Sequence, residues 1–158
     1  MAIKDLVKLA IAIAVPLLVG FVGSYFTAPA IESWYADLVK PTLNPPSWVF
    51  GPAWAVLYVL MGVAAFLVWQ RGFHRKDVRT ALYIFVFQLF LNGIWSFIFF
   101  GLQSPLWALI DITLLWFAIV FTTTVFYRIS PISAYLLIPY IAWVSFAAYL
   151  NAMIFLLN

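Results

Sequence analysis

Residues 81–101 read ALYIFVFQLFLNGIWSFIFFG. The stretch carries no charge, and at about 1.5 Å per residue a helix of this length crosses the roughly 30 Å hydrocarbon core of a bilayer. It also holds two amides at mid-depth, Gln88 and Asn92, which are costly against lipid and so must face the inside of a bundle. Working outward, four more apolar stretches of spanning length lie near 6–27, 48–70, 105–127 and 134–157. Spanning backbone must satisfy its own hydrogen bonds, so all five are predicted to be α-helices. The fold class is therefore an all-α integral membrane protein, a single five-transmembrane-helix bundle over residues 1–158.

Composition supports this. The chain is 67% hydrophobic and 8% charged, and its mean hydropathy of +1.10 is too high for a water-soluble globule. The first stretch is too long for a signal peptide and lacks a small-residue cleavage pattern, so it reads as a retained helix. With no cysteine, disulfides, thiol catalysis and thiolate metal sites are excluded.

Charge predicts the orientation. Five spans place the N-terminus, 71–79 and 128–133 on one side, with Lys4, Lys8, Arg71, Arg75, Lys76, Arg79 and Arg128. The other side has Lys40 alone, beside Glu32 and Asp37. The excess of Lys and Arg predicts a cytoplasmic N-terminus and an external C-terminus. The basic run at 71–79 is short and flanks a membrane span, so no nucleic-acid partner is expected.

One connection is long, 28–47, and it contains Trp34, Tyr35, Lys40, Pro41, Asn44, Pro45 and Pro46. Stiff and aromatic, unlike a Gly/Ser linker, it reads as a lid loop. Within the spans, Pro16 and Pro139 each free a backbone carbonyl; Pro139, near Trp143, is expected either to kink its helix or to open space at the lid end of a pocket.

Eight tryptophans stand out, because lipid-facing helices have little use for an indole N–H that needs a partner when buried. Some suit the headgroup level. Trp54, Trp95 and Trp143 instead lie within spans beside polar side chains and suggest a pocket for a large flat ligand. Gln88, Asn92, Trp95 and Phe99 form one helical stripe, which serves either as interhelical hydrogen bonding or, through Asn92, as part of the pocket. In the last span Tyr140, Trp143, Ala147, Leu150 and Asn151 share a face edged by Phe146, where small Ala147 leaves a recess beside an indole. Trp54, Tyr58, Met61 and Ala65 make a third stripe. Asp111, the acid inside the fourth span, is expected to pair with a hydroxyl or amide. The single histidine, His74, lies in the basic loop, so no metal site of the usual kind and no His or Cys haem ligand is expected within the bundle.

Taken in order, Trp34-Tyr35, Lys40-Pro41, Pro45-Pro46, Trp54, Leu57-Tyr58, Gln88, Asn92, Trp95-Ser96, Asp111, Pro139-Tyr140, Trp143, Ala147 and Leu150-Asn151 closely resemble the tryptophan-rich sensory protein family, which includes the mitochondrial translocator protein, the peripheral benzodiazepine receptor. The resemblance implies a five-helix bundle, usually a homodimer, in a prokaryotic cell membrane for a chain of this kind. It implies a receptor, sensor or carrier that binds porphyrins such as protoporphyrin IX and haem, together with hydrophobic synthetic ligands, and that has no obligatory cofactor. Carried over residue by residue, it implies a pocket of Tyr35, Pro45, Trp54, Asn92, Trp95, Phe99, Trp143, Phe146, Ala147 and Leu150. The alternative it implies is a light-dependent porphyrin-degrading enzyme in which Trp54 and Trp143 are the catalytic rings. Animal members bind cholesterol through a tyrosine followed by a basic residue, but Tyr149 here is followed by LNAMIFLLN. Cholesterol is therefore not expected at that position.

Overall fold

The computed structural model describes residues 3–158. Its order is α1 (Ile3–Ile31), a one-turn α2 (Trp34–Asp37), a 3-10 turn (Ser47–Val49), α3 (Phe50–Trp69), α4 (Lys76–Ser96) continuing into a π-turn (Phe97–Gly101), α5 (Pro105–Ile129) and α6 (Pro131–Leu157). Five of these segments are long and apolar enough to cross a membrane. The spans near 48–70, 81–101, 105–127 and 134–157 match α3 to α6 closely. α1 differs, running through Pro29 to Ile31, so the long connection is shorter than the sequence suggests. Pro29 removes one bond of the helical ladder, and the Ser33 hydroxyl donates back to the Pro29 carbonyl at 2.7 Å, satisfying one helix-end acceptor.

The helices close into a ring in which α1 packs on α3 and α4, α3 on α6, α6 on α5, and α5 on α4. The core lies between α3, α4, α5 and α6, where Met61, Val68, Val78, Ile112, Leu115, Leu137 and Val144 are buried. Helix α1 is the outlier: few of its residues are buried. It is held by close contact at small residues. A Cβ at Gly62 of α3 would sit 2.5 Å from Ile13 Cα and 2.7 Å from the Ala12 carbonyl. That carbonyl is the acceptor Pro16 leaves free four residues on, so the proline and the glycine together set this crossing. Higher up, the Tyr58 ring lies directly against Gly20.

Two contacts confirm which ends lie together. Lys8 Nζ stands 5.8 Å above the Trp69 ring, joining the start of α1 to the end of α3. At the opposite end the Asn158 side chain pairs with the backbone of Val39, joining the end of α6 to the long connection. Trp48 and Trp107 are exposed at the starts of α3 and α5, as expected for indoles near the membrane surface. Pro139 faces outward on an unbroken α6 and is not among the residues lining the cavity described below. The expectation that it opens space at the lid end is corrected accordingly.

Candidate functional site: an aromatic cavity at the loop end

Between α1, α3, α4 and α6, at the end covered by the long connection, lies a cavity of about 470 Å³. Pockets of this size accept drug-sized ligands. No charged side chain lines it among the described residues.

Aromatic rings build most of the wall. From α3, Trp54 stacks on Tyr58 with centroids 5.6 Å apart and meets Tyr140 edge-on at 6.3 Å. From α4, Trp95 stacks on Phe99 at 5.1 Å. The Trp95 indole is fixed because its Nε1 donates to Asn151 Oδ1 at 3.0 Å, and Asn151 Nδ2 in turn donates to the Pro105 carbonyl at 2.8 Å. The π-turn then widens the helix, so that Phe99 and the next residue, Phe100, both reach the cavity. From α6, Trp143, Ala147 and Leu150 supply a large ring beside a small residue, the recess anticipated from their spacing. Trp143 Nε1 is buried without a hydrogen-bond partner.

The long connection closes the top. Tyr35 is 4% exposed and packs on Phe99 and Phe100, and its hydroxyl donates to Asn44 Oδ1 at 2.8 Å. Burial pushes the Tyr35 phenol above its ordinary range. Lys40 Nζ donates to the carbonyls of Ala36 and Leu38 at 2.9 and 3.0 Å and lies 5.0 Å over the Tyr35 ring.

Of the residues singled out from sequence, Tyr35, Trp54, Trp95, Phe99, Trp143, Ala147 and Leu150 come together in this wall. Asn92, Pro45 and Phe146 do not line it. Phe146 packs beside Trp143 and Tyr149. The Pro45 carbonyl accepts from Asn44 Nδ2 at 3.2 Å, so it supports the Tyr35 contact from outside.

Asn92 lies behind the wall. Its Oδ1 accepts from the Tyr58 hydroxyl at 2.7 Å, and its Nδ2 donates to the Tyr140 hydroxyl at 2.9 Å. Tyr140 donates onward to Gln88 Oε1 at 2.9 Å. This buried chain joins α3, α4 and α6, the interhelical alternative read for the stripe; Tyr58 lines the cavity where Asn92 does not. Asp111 is buried on α5, but its Oδ2 has no hydrogen-bond partner, so the hydroxyl or amide expected for it is not found there. Among the described residues no three His, Asp or Glu side chains gather as metal ligands would.

The α1 side of the wall lies outside the residues expected from sequence. Gly20, Gly23, Ser24, Thr27 and Ala28 line the cavity, and their spacing of three, four, seven and eight is a helical stripe of small residues. Such a stripe was available as a signal.

The TspO/MBR family profile matches residues 12–157. The tryptophan-rich protein TspO of Chlorobaculum tepidum is 46% identical over 155 residues, covering 98% of each chain. That of Archaeoglobus fulgidus is 45% identical over 154 residues, covering 98% of this chain and 99% of its own. The human translocator protein is 45% identical over 138 residues, 86% of this chain and 81% of its own. A five-helix membrane bundle with a tryptophan-walled cavity under its long loop, matched nearly end to end by these relatives, belongs to the TspO/MBR family.

Proposed function

We propose that this protein is a membrane receptor or carrier that binds tetrapyrroles, protoporphyrin IX and haem among them, together with hydrophobic drug-like molecules. The observation that carries this reading is the cavity wall: stacked indoles and phenyl rings around about 470 Å³, without a lining charge. A flat macrocycle gains from such a wall by apolar burial and ring stacking. The residues in contact would be Tyr35, Trp54, Trp95, Phe99, Trp143, Ala147 and Leu150.

Haem would bind through its ring. The single histidine is His74, in the turn after α3. The wall tyrosines already use their hydroxyls as donors, Tyr35 to Asn44 and Tyr58 to Asn92. Titrating the purified protein with protoporphyrin IX and with haem, read by tryptophan quenching, tests the reading. Saturable one-to-one binding of both supports it, and no binding of either overturns it.

A second reading is favoured by the presence of both Trp54 and Trp143 in the wall: light-driven oxidative degradation of the bound porphyrin, with dioxygen as the oxidant and these oxidisable rings beside the excited ligand. Illumination of the complex separates the two, since a defined bleached product means an enzyme and an unchanged spectrum means a receptor or carrier. In a prokaryotic cell membrane, the basic residues of the 70–75 turn and the N-terminal segment would hold that end in the cytoplasm. The cavity and the C-terminus would then face outward.

A further inference from the structure

The cavity is tied shut at its loop end and open on one flank. At the loop end, Asn158 Oδ1 accepts from the Val39 amide at 2.9 Å while its Nδ2 donates to the Val39 carbonyl at 3.0 Å. The same Nδ2 donates to the Ile154 carbonyl at 2.9 Å, on a residue that lines the cavity. With the Tyr35–Asn44 bond and the Lys40 contacts, the connection is pinned both to itself and to the end of α6.

The flank between α1 and α3 is different. The two helices touch backbone to backbone at Gly62, where an added Cβ would meet Ile13 Cα at 2.5 Å. Toward the loop end they part, until nothing lies within 4 Å of a Cβ built at Gly51. Ser24 and Ala28 on α1, and Gly51 and Ala55 on α3, line the cavity and are themselves exposed. Phe21 and Trp48, each 75% exposed, flank this slot. The hydroxyls beside it are turned onto their own helix, Ser24 Oγ to the Phe21 carbonyl at 2.6 Å and Thr27 Oγ1 to the Gly23 carbonyl at 3.0 Å. The slot is thus walled by small residues, and it lies between two helical segments long and apolar enough to cross a membrane.

We propose that the slot between α1 and α3 is a lateral portal, through which ligands dissolved in the loop-side leaflet reach the cavity without the long connection opening. The ligand part of this rests on the tetrapyrrole reading above. In the absence of ligand the portal admits acyl chains as far as Trp54.

The test uses the whole chain in lipid nanodiscs. With phosphatidylcholine brominated on its acyl chains and no porphyrin present, exposed indoles such as Trp48 and Trp107 are quenched in every form, and the wild type should show a further component that is absent in Trp54→Phe and reduced in Gly51→Leu and Ala55→Phe. Gly51→Leu is the safer plug because its side chain enters open space. In stopped-flow binding of protoporphyrin IX, either plug should slow both association and dissociation at least tenfold. The chain has no cysteine, so Val39→Cys with Asn158→Cys can be bridged by a short bismaleimide. Bridging should leave the association rate within twofold. Plugs that bind at the wild-type rate, a bridged loop that blocks association, or absence of Trp54-dependent bromine quenching would each overturn the portal. Failure of the wild type to bind protoporphyrin would instead remove the ligand reading, and the bromine measurement would still decide the slot.

Discussion

Replacing Asn92 with Leu removes two hydrogen bonds from the centre of the bundle and leaves the cavity wall in place. The Tyr58 hydroxyl loses its acceptor and the Tyr140 hydroxyl loses a donor, while Tyr140 keeps its bond to Gln88. Interhelical side-chain bonds in membrane bundles average about 0.6 kcal/mol and reach about 1.7, so two of them set an expected loss of about 1–3 kcal/mol. The loss should be smaller in a background already carrying Tyr58→Phe, because one of the two bonds is then absent; a double-mutant cycle isolates it. Ligand affinity should stay within about threefold, less than ~0.7 kcal/mol, because Asn92 does not line the cavity. The assay is unfolding in mixed detergent for stability, with protoporphyrin quenching of tryptophan for affinity. Unchanged stability together with an affinity loss above tenfold would refute the reasoning, because Asn92 would then be acting on the ligand.

Other outcomes follow from single contacts. Trp143→Phe removes a buried N–H that has no partner. It should therefore leave apo stability about level and protoporphyrin affinity within about tenfold, or ~1.4 kcal/mol, read by tryptophan quenching; illumination of the double variant with Trp54→Phe should leave bound porphyrin intact if those rings carry the photochemistry. Gly62→Leu places a side chain into the α1 backbone and should cost about 1–3 kcal/mol of stability, seen as earlier unfolding. Because burial raises the Tyr35 pKa, this group favours the folded loop fully below the ordinary tyrosine value near 10. That contribution is lost only as pH rises through the higher folded value. Ultraviolet titration should thus show Tyr35, identified by difference against Tyr35→Phe, ionising after the exposed tyrosines, and ionisation at or below pH 10 would contradict its burial.

The spans were legible because bilayer crossing leaves one reading for a long uncharged apolar run, and the basic residues cluster on one end of the alternating helices. The aromatic members of the site were legible for a related reason: Trp54, Trp95 and Trp143 sit where leucine would serve lipid equally well. Depth was not. Gln88, Asn92, Trp95 and Phe99 do share a face, but spacing fixes a face and says nothing of where a cavity stops. It stops between Asn92 and Trp95, because the Tyr58 and Tyr140 rings, arriving from other helices, fill the space beside Asn92. The π-turn that brings Phe100 to the wall ends at Gly101, where an added Cβ would meet Phe97 and Phe26 at 3.1 and 3.2 Å. No local pattern in residues 97–101 announces it. The end of α1 is not marked by hydropathy: the apolar run stops near residue 27, whereas the helix continues through Pro29 to Ile31, with the Ser33 hydroxyl donating to the Pro29 carbonyl.

The central claim is that the aromatic cavity is the tetrapyrrole site and holds its ligand by the ring. It is tested most directly by equilibrium binding of protoporphyrin IX and haem to the wild type and to Ala147→Phe, which fills the recess beside Trp143. The account predicts one site per chain, with affinities for the metal-free and iron forms within about tenfold, or ~1.4 kcal/mol. It also predicts loss of both in a folded Ala147→Phe protein. Wild-type affinity with the recess filled, or haem bound a hundredfold more tightly than protoporphyrin, would contradict it.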